Sequence, residues 1–297
     1  MYHTPVLLKD CIEALKIKPD GIYVDATFGG GGHSAEILKK IADGKLIGFD
    51  QDEDAETNKL SDERFILVKA NFRNMTSELQ KIGVTQIDGL LADLGVSSHQ
   101  FDTADRGFST RFDSLLDMRM NKNENLTAAK VLNSYSENDL RKIFREYGEV
   151  ENASRLAKTI LSARKEKPIE TISELKNAIV NCVKRGKENQ YYAKVFQALR
   201  IEVNDELNAL KDLLKQATEM LNKEGRIAVI SYHSLEDRLV KNFFRHGKFE
   251  GEVEKDFYWN RIVPLREITH KPIFPSEKEI ENNSRARSAK FRIAEKI

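Results

Sequence analysis

The sequence predicts an α/β protein with a doubly wound parallel sheet, because short β-branched strands alternate with helices of about ten residues. A chain of 297 residues that is 40% hydrophobic can also bury the core that such a sheet needs. Strand patterns occur in six places: 22–26, 45–50, 64–70, 87–95, 225–234 and 288–295. Shorter helical patterns lie between the first four, among them "DAETNKL" after the second strand.

This alternation stops between about residues 124 and 222, where the pattern is almost wholly helical. Capping boxes at Ser136–Asp139 and Thr171–Glu174 each start an amphipathic run, and one long helical pattern covers Tyr191 to Leu221. We therefore predict a discontinuous sheet domain, residues 1–115 and 202–297, interrupted by an all-helical insert, residues 116–201.

Cysteine usage and hydropathy narrow the class of protein. Cys11 and Cys182 are the only cysteines, so no disulfide framework or cysteine metal cluster is expected, which suits a reducing cytoplasm. The first apolar stretch carries Lys9, Asp10 and Glu13 and does not read as a signal peptide. No apolar run approaches the roughly 20 residues that span a bilayer. We predict a cytoplasmic protein without a membrane partner.

Charge is unevenly distributed although the net charge is only +1. Residues 1–60 hold 7 Lys/Arg against 11 Asp/Glu, whereas residues 155–200 hold 11 against 4. The basic segment is either a face that binds a polyanion or an ordinary solvated helical surface, and charge alone does not decide between them.

Four consecutive glycines, 29–32, leave the first strand and enter a helix. A flexible linker is disfavoured in so short a connection. In a doubly wound sheet, this turn is where a nucleotide approaches the backbone, and glycine allows that approach because it has no Cβ. Asp50 ends the second strand 21 residues after Gly29, the spacing at which an acid accepts hydrogen bonds from ribose hydroxyls.

The glycine register favours one class of ligand over others. Gly29-x-Gly31-x-x ends on Ser34, so the third glycine of a dinucleotide fingerprint is missing, and no P-loop lysine follows. S-adenosylmethionine, which has no pyrophosphate, fits better. Its carboxylate suits the helix N-terminus, its ribose suits Asp50, and its adenine can pack on Phe72 after the third strand.

Six blocks carry a close resemblance to a known family. They are "HTPVLL" (3–8), "DATFGGGGHS" (25–34), "LLADLGVSSHQFDTADRGFSTRFDSLLDMRM" (90–120), "FQALRIEVNDEL" (196–207), "ISYHSLEDRLVK" (230–241) and "NSRARSAKFRIAE" (283–295). In this order the chain resembles the MraW/RsmH family of S-adenosylmethionine-dependent methyltransferases, which modify the N4 amine of a cytidine in 16S ribosomal RNA. The resemblance spans nearly the whole chain and implies a Rossmann-like methyltransferase sheet.

The resemblance also implies the cofactor contacts, which are Gly31, Gly32, His33, Asp50, Phe72, Asp93 and Gln100. Three places depart from the family pattern: Tyr232, where phenylalanine is frequent; "QYYAKVFQALR" (190–200); and Asn282-Asn283, where Asn-Pro is usual. The second departure lies in the segment expected to face RNA, so it weakens any assignment of RNA contacts there.

Asp93 is the candidate catalytic residue, because an amine that attacks a methyl group needs an acceptor for its N–H protons. Asp93 is equally a candidate cofactor ligand, and both roles stay open. His233 either contacts the target base or bonds to neighbouring backbone. Arg106, Arg111 and Arg119 either pair with nearby aspartates or reach an RNA phosphate. The histidines show no metal-ligand spacing, so no catalytic metal is expected.

Three functions remain at this point. The first is an rRNA cytidine N4-methyltransferase acting on 16S rRNA or the small subunit, gripping RNA through the helical insert and "SRARSAK" (284–290). The second is a nonenzymatic rRNA-binding assembly factor with the same fold. The third, a nicotinamide oxidoreductase, is disfavoured by the glycine register. The sequence is compatible with a monomer or a homodimer.

Overall fold

The computed structural model describes residues 5–251, 253–255, 257–258 and 262–297, and its chain divides into two compact units. The sheet unit comprises Met1–Gly95 and Leu207–Ile297, and the helical unit comprises Val96–Glu206. His3 and Thr4 of the "HTPVLL" block lie outside the described residues.

The division falls after residues 95 and 206, not after residues 115 and 201 as the sequence suggested. The reason lies in the segment that follows Gly95. Phe108 joins the hydrophobic core of the helical unit, and the buried Arg106 guanidinium donates to the carbonyls of Arg119 and Met120 at 3.0 and 2.9 Å. These residues therefore fold with the helices that come after them.

The sheet unit contains seven strands and six α-helices among its described residues. The strands are β1 (Ile22–Asp25), β2 (Lys45–Asp50), β3 (Phe65–Lys69), β4 (Ile87–Asp93), β5 (Leu221–Ser231), β6 (Leu265–Glu267) and β7 (Lys290–Lys296). The helices are α1 (Leu8–Ala14), α2 (Gly32–Leu38), α3 (Met75–Lys81), α10 (Glu206–Met220, whose first residue belongs to the helical unit), α11 (Ser234–His246) and α12 (Glu277–Asn282).

The strands form one mixed sheet in the order β3-β2-β1-β4-β5-β7-β6. The first five strands pair in parallel, with Val24 opposite both Ile47 and Leu90, and β7 runs antiparallel between β5 and β6. The strand order reverses at β1 and β4. The carboxyl ends of these two strands therefore border the crevice in which sheets of this kind bind ligands.

Alternating residues of the central strands bury both faces of the sheet. Val24 and Leu90 belong to one hydrophobic cluster, and their neighbours Tyr23 and Leu91 belong to the other. Helices α3, α10 and α11 contribute side chains to the first cluster, and α1 and α2 contribute to the second. This two-sided burial explains the near-continuous apolar runs of the parallel strands.

The Rossmann-like sheet interrupted by helices is confirmed, with three local differences. "DAETNKL" forms a 3-10 helix, Glu53–Asn58, not an α-helix. The fifth strand starts at Leu221, four residues before the predicted position. Strand β6 was not predicted, because its three residues carry no alternating pattern and are held by pairing with β7.

The helical unit contains α-helices around a single hydrophobic core. They are α4 (Ser98–Asp102), α5 (Ala128–Ser134), α6 (Glu137–Glu146), α7 (Ala153–Glu166), α8 (Ile172–Ile179) and α9 (Glu188–Asn204). The long helix predicted from Tyr191 to Leu221 is wrong, since α9 ends at Asn204 and Asp205 adopts a left-handed conformation with φ 48°. Across the part of the chain that is described, no helix is long and apolar enough to cross a membrane.

Candidate active site

Three aspartates end three adjacent strands of the sheet unit: Asp25 on β1, Asp50 on β2 and Asp93 on β4. Because these strands are parallel, their carboxyl ends share one edge of the sheet. The sequence pointed to Asp50 and Asp93 and missed Asp25. The same signal, an acid that directly ends a buried strand, would have found it.

The glycine run forms a tight turn between β1 and α2. Gly29 and Gly31 are left-handed, with φ of 51° and 74°. A Cβ on Gly31 would lie 3.0 Å from the Phe28 ring, and one on Gly32 would lie 2.3 Å from the Pro5 ring. Backbone conformation and close packing therefore both require glycine here.

Asp50 holds this turn in place. Its Oδ2 accepts a hydrogen bond from the Gly29 N–H at 2.9 Å, and its Oδ1 accepts one from the Asp52 N–H at 2.8 Å. Burial raises the pKa of Asp50 to about 6, and the two backbone donors only partly oppose that rise. The side chain is nevertheless partly exposed, and each oxygen keeps a lone pair for a ligand hydroxyl.

Asp25 and His33 are buried behind the turn. Asp25 accepts hydrogen bonds from the Ser34 hydroxyl at 2.7 Å and the Thr27 N–H at 3.2 Å, which join the end of β1 to α2. Burial raises the pKa of Asp25, and the nearby His33 opposes this. The His33 Nε2 lies 3.0 Å from the Val6 carbonyl, so its ring is fixed from the side of the N-terminal segment.

Asp93 is held by two hydrogen bonds, one at its backbone and one at its side chain. Its backbone N–H donates to the Thr27 hydroxyl at 2.7 Å, and its Oδ1 accepts from the Tyr232 hydroxyl at 2.7 Å. Among the described residues no donor reaches its Oδ2. Burial raises the pKa of Asp93 to about 6, against the lowering effects of His33 and Tyr232. The side chain keeps partial exposure, so an open acceptor lies within a largely desolvated site.

Phe72 and Gln100 come from other segments. Phe72 begins a 3-10 helix after β3 in the sheet unit and is partly buried. Gln100 belongs to the helical unit, where its Oε1 accepts from the Ser97 N–H at 3.1 Å in a capping box at the start of α4. The structure therefore brings the glycines, His33, Asp50 and Asp93 together with Phe72 in one unit, and it places Gln100 in the other.

Three of the remaining candidates have structural partners. His233 is the N-cap of α11, and its Nδ1 accepts from the Glu236 N–H at 3.4 Å. Arg106 is buried and bonded to two carbonyls, so it cannot reach a phosphate from there. Arg119 pairs with Asp117 at 2.7 Å, which agrees with the first of the two alternatives, pairing with a nearby aspartate.

A Rossmann-like sheet with a glycine turn and acidic strand ends at its switch point is the fold and site of a nucleotide-binding enzyme. The chain matches the MraW methylase family over residues 1–297 and belongs to it. Membership makes the chain an S-adenosylmethionine-dependent methyltransferase.

Curated relatives are similar over their whole length. The "Ribosomal RNA small subunit methyltransferase H" of Flavobacterium johnsoniae is 56% identical over 297 residues, which are 100% of this chain and 98% of that protein. The protein of the same name from Christiangramia forsetii is 54% identical over the same shares. A solved rRNA methylase from Streptococcus thermophilus is 12% identical with a TM-score of 0.42, covering 98% of this chain and 93% of that one.

The residues of the sheet unit fit S-adenosylmethionine. The cofactor offers ribose hydroxyls and an ammonium group as donors, and Asp50 and Asp93 keep accessible acceptor lone pairs at the switch point. A sulfonium cation also suits a site that holds acidic groups of raised pKa, because its charge favours their ionised form.

Proposed function

We propose that this chain transfers a methyl group to the exocyclic N4 amine of a specific cytidine in the decoding region of 16S ribosomal RNA. The observation that carries the proposal is the Asp93 carboxylate, which has one oxygen held by Tyr232 and the other open at the switch point. The names of the curated relatives support small-subunit rRNA as the substrate. The sequence resemblance supports cytosine N4 as the target atom.

The cofactor contacts proposed for this chain are Gly31, Gly32, His33, Asp50, Phe72, Asp93 and Gln100. Asp50 accepts hydrogen bonds from the ribose through the lone pairs that Gly29 and Asp52 leave free. The glycine turn and the start of α2 receive the carboxylate, and Phe72 packs against the adenine.

When bound, S-adenosylmethionine supplies an electrophilic methyl carbon on a cationic sulfur. The N4 lone pair of cytosine is delocalised into its ring, so the amine must be held in line with that carbon at about 3–3.5 Å. Oδ2 of Asp93 accepts a hydrogen bond from the amine and orients its lone pair. Asp93 then takes the proton that leaves nitrogen as the N–C bond forms and the S–C bond breaks. A pKa of about 6 leaves Asp93 ionised and basic at neutral pH.

RNA binding by the helical unit is the second part of the proposal. Four exposed cations of its basic segment, residues 155–200, have no hydrogen-bond or ion-pair partner among the described residues: Lys158, Lys165, Arg185 and Lys187. Other basic residues of the segment are already engaged, as Lys167 is with Glu174 and Arg200 with Glu206. Uncompensated cations favour contact with phosphates over a neutral solvated surface.

The decisive experiment measures methylated nucleosides in small-subunit rRNA. Ribosomal RNA from cells that lack this chain is digested and analysed by mass spectrometry, and then compared with rRNA from cells that express the chain or its Asp93→Asn variant. We expect N4-methylcytidine at one position only with the active chain. Intact N4 methylation without the chain would refute the proposal. RNA binding without any methyl transfer would indicate the nonenzymatic assembly factor.

Assay of free 16S rRNA against assembled small subunits identifies which is methylated. The homodimer, the cytoplasmic location and the lack of a catalytic metal stay predictions. Light scattering of the purified chain, cell fractionation and metal analysis would test them in turn.

A further inference from the structure

Tyr232 lies between the end of β5 at Ser231 and the start of α11 at Ser234. Its backbone N–H donates to the Glu236 Oε2 at 2.9 Å, and its ring packs against the hydrophobic cluster on one face of the sheet. Both ends of the residue are thus fixed. The hydroxyl group then extends to Oδ1 of Asp93 at 2.7 Å, the short distance of a hydrogen bond to a carboxylate.

The hydroxyl restrains the side chain of Asp93, whose backbone is already held in place. The backbone of Asp93 is fixed by the Thr27 hydroxyl and by β4. Rotation about the Cβ–Cγ bond would still exchange the two carboxylate oxygens, since the structure shows a donor to only one of them.

We propose that Tyr232 is a positioning residue, whose hydroxyl holds the Asp93 carboxylate in one orientation and leaves Oδ2 as its acceptor for the substrate amine. This inference rests on the proposed function of Asp93. Tyr232 need not touch the cofactor or the base. It removes the freedom that Asp93 would otherwise lose at the moment of reaction, which is how preorganised hydrogen bonds aid catalysis.

The alternative is a purely structural tyrosine, in which the ring fills the core and the hydroxyl merely finds a partner. Tyr232→Phe separates these roles, because it keeps the ring and removes only the donor. Tyr135→Phe is a matched control in the helical unit, where the Tyr135 hydroxyl donates to Oε1 of Glu202 at the same distance, 2.7 Å.

The first measurement needs neither cofactor nor RNA. The Asp93 carboxyl carbon is followed by ¹³C NMR from pH 4 to 8.5 in selectively labelled protein, with Asp93→Asn used to assign its signal. Besides Tyr232, the titratable groups around Asp93 are His33 on α2, Asp25 on β1, Glu236 on α11 and Cys11 on α1. Tyr232→Phe leaves all four in place, so a change in midpoint reports the missing hydroxyl.

We expect Tyr232→Phe to raise the Asp93 midpoint by about one unit, because the ionised form loses a donor, and Tyr135→Phe to leave it unchanged. At neutral pH, kcat should fall about tenfold while KM for RNA changes less than about threefold. An unchanged midpoint and kcat would overturn the positioning role. If Asp93→Asn retained wild-type methyl transfer, the proposed function of Asp93 would fail instead, whatever the NMR titration showed.

Discussion

The strand ends of the sheet unit and the segment 96–120 of the helical unit are both dense in charged residues, yet they use them in opposite ways. At the strand ends, burial raises the pKa of Asp50 and Asp93 to about 6. In the helical unit, hydrogen bonds from Arg119 lower the pKa of Asp117 although burial opposes them. Arg106 of the same segment is buried, and its guanidinium donates hydrogen bonds to two backbone carbonyls.

This difference separates the residues to which we assign a role in binding or catalysis from residues that fold a loop. A charge with satisfied partners stabilises the structure around it, whereas an ionised group held at a cost in free energy signals a use outside the fold. The strand-end aspartates belong to the second kind, the groups whose ionised form is held at a cost in free energy. The charged residues of segment 96–120 described here are mostly of the first kind, although the segment belongs to the most distinctive block of the sequence.

The largest difference in methyl transfer is expected between Asp93→Asn and Asp88→Asn, because the two aspartates lie near opposite ends of β4. Asp93→Asn should lower methyl transfer about 10²- to 10⁴-fold, measured by transfer of labelled methyl groups to RNA. Asp88 has a lowered pKa and binds the Ile22 N–H at 3.0 Å, so Asp88→Asn should leave transfer near the wild-type rate.

The same two variants should change the free energy of unfolding in opposite directions. The folded pKa of Asp93 is about 6 against an ordinary value of 3.8, so its ionisation costs stability as the pH rises through 6. Asp93→Asn should therefore raise the free energy of unfolding at pH 8, by about 1–3 kcal/mol. Asp88→Asn should lower it. A loss of stability in both variants would contradict the contrast drawn between strand ends.

Cofactor affinity should depend on pH between 5 and 8. Asp50 and Asp93 become protonated near pH 6 and then lose acceptor capacity and negative charge. Calorimetry should show S-adenosylmethionine binding about tenfold more weakly at pH 5 than at pH 8, with a smaller change for S-adenosylhomocysteine, which lacks the sulfonium charge. Equal affinity for S-adenosylmethionine at both pH values would remove these carboxylates from the cofactor site.

A comparison of Arg106→Met with Arg111→Ala tests which arginine of the helical unit stabilises the fold. Arg106 is buried on two carbonyls, so its loss should lower the free energy of unfolding in urea by about 2–4 kcal/mol. Arg111 is exposed and has no side-chain partner among the described residues, so its loss should cost less than about 0.5 kcal/mol. A stable Arg106→Met protein with a changed salt dependence of RNA binding would make Arg106 a phosphate contact after all.

The smallest effect is expected from the basic loop before α9. Arg185→Ala with Lys187→Ala should weaken RNA binding a few-fold and reduce the slope of log K against log salt by about 1.4 for single-stranded RNA. Lys39→Ala with Lys40→Ala, an exposed pair in the sheet unit, is the control and should leave the slope unchanged. Equal slopes for both double variants would favour a solvated surface over a polyanion-binding face.

The sequence was sufficient to predict the sheet and two of its three strand-end aspartates. A buried strand is marked by its apolar run, and the residue that ends this run can be identified directly. The sequence could not assign Arg106, whose burial depends on carbonyls 13 and 14 residues away. It gave Tyr232 only as a departure from the family pattern, since its partner Asp93 is 139 residues distant. Long-range pairing, not local pattern, decides such roles.

The placement of β7 bears on how the chain folds during synthesis. The helical unit is one continuous segment, Val96–Glu206, whereas the sheet unit needs β7, Lys290–Lys296, to pair with β5 and β6. During translation, all the residues of the helical unit therefore leave the ribosome well before β7 is available to complete the sheet. The helical unit is fully synthesised first, and the edge of β5 that pairs with β7 has no partner until nearly sixty further residues have been translated.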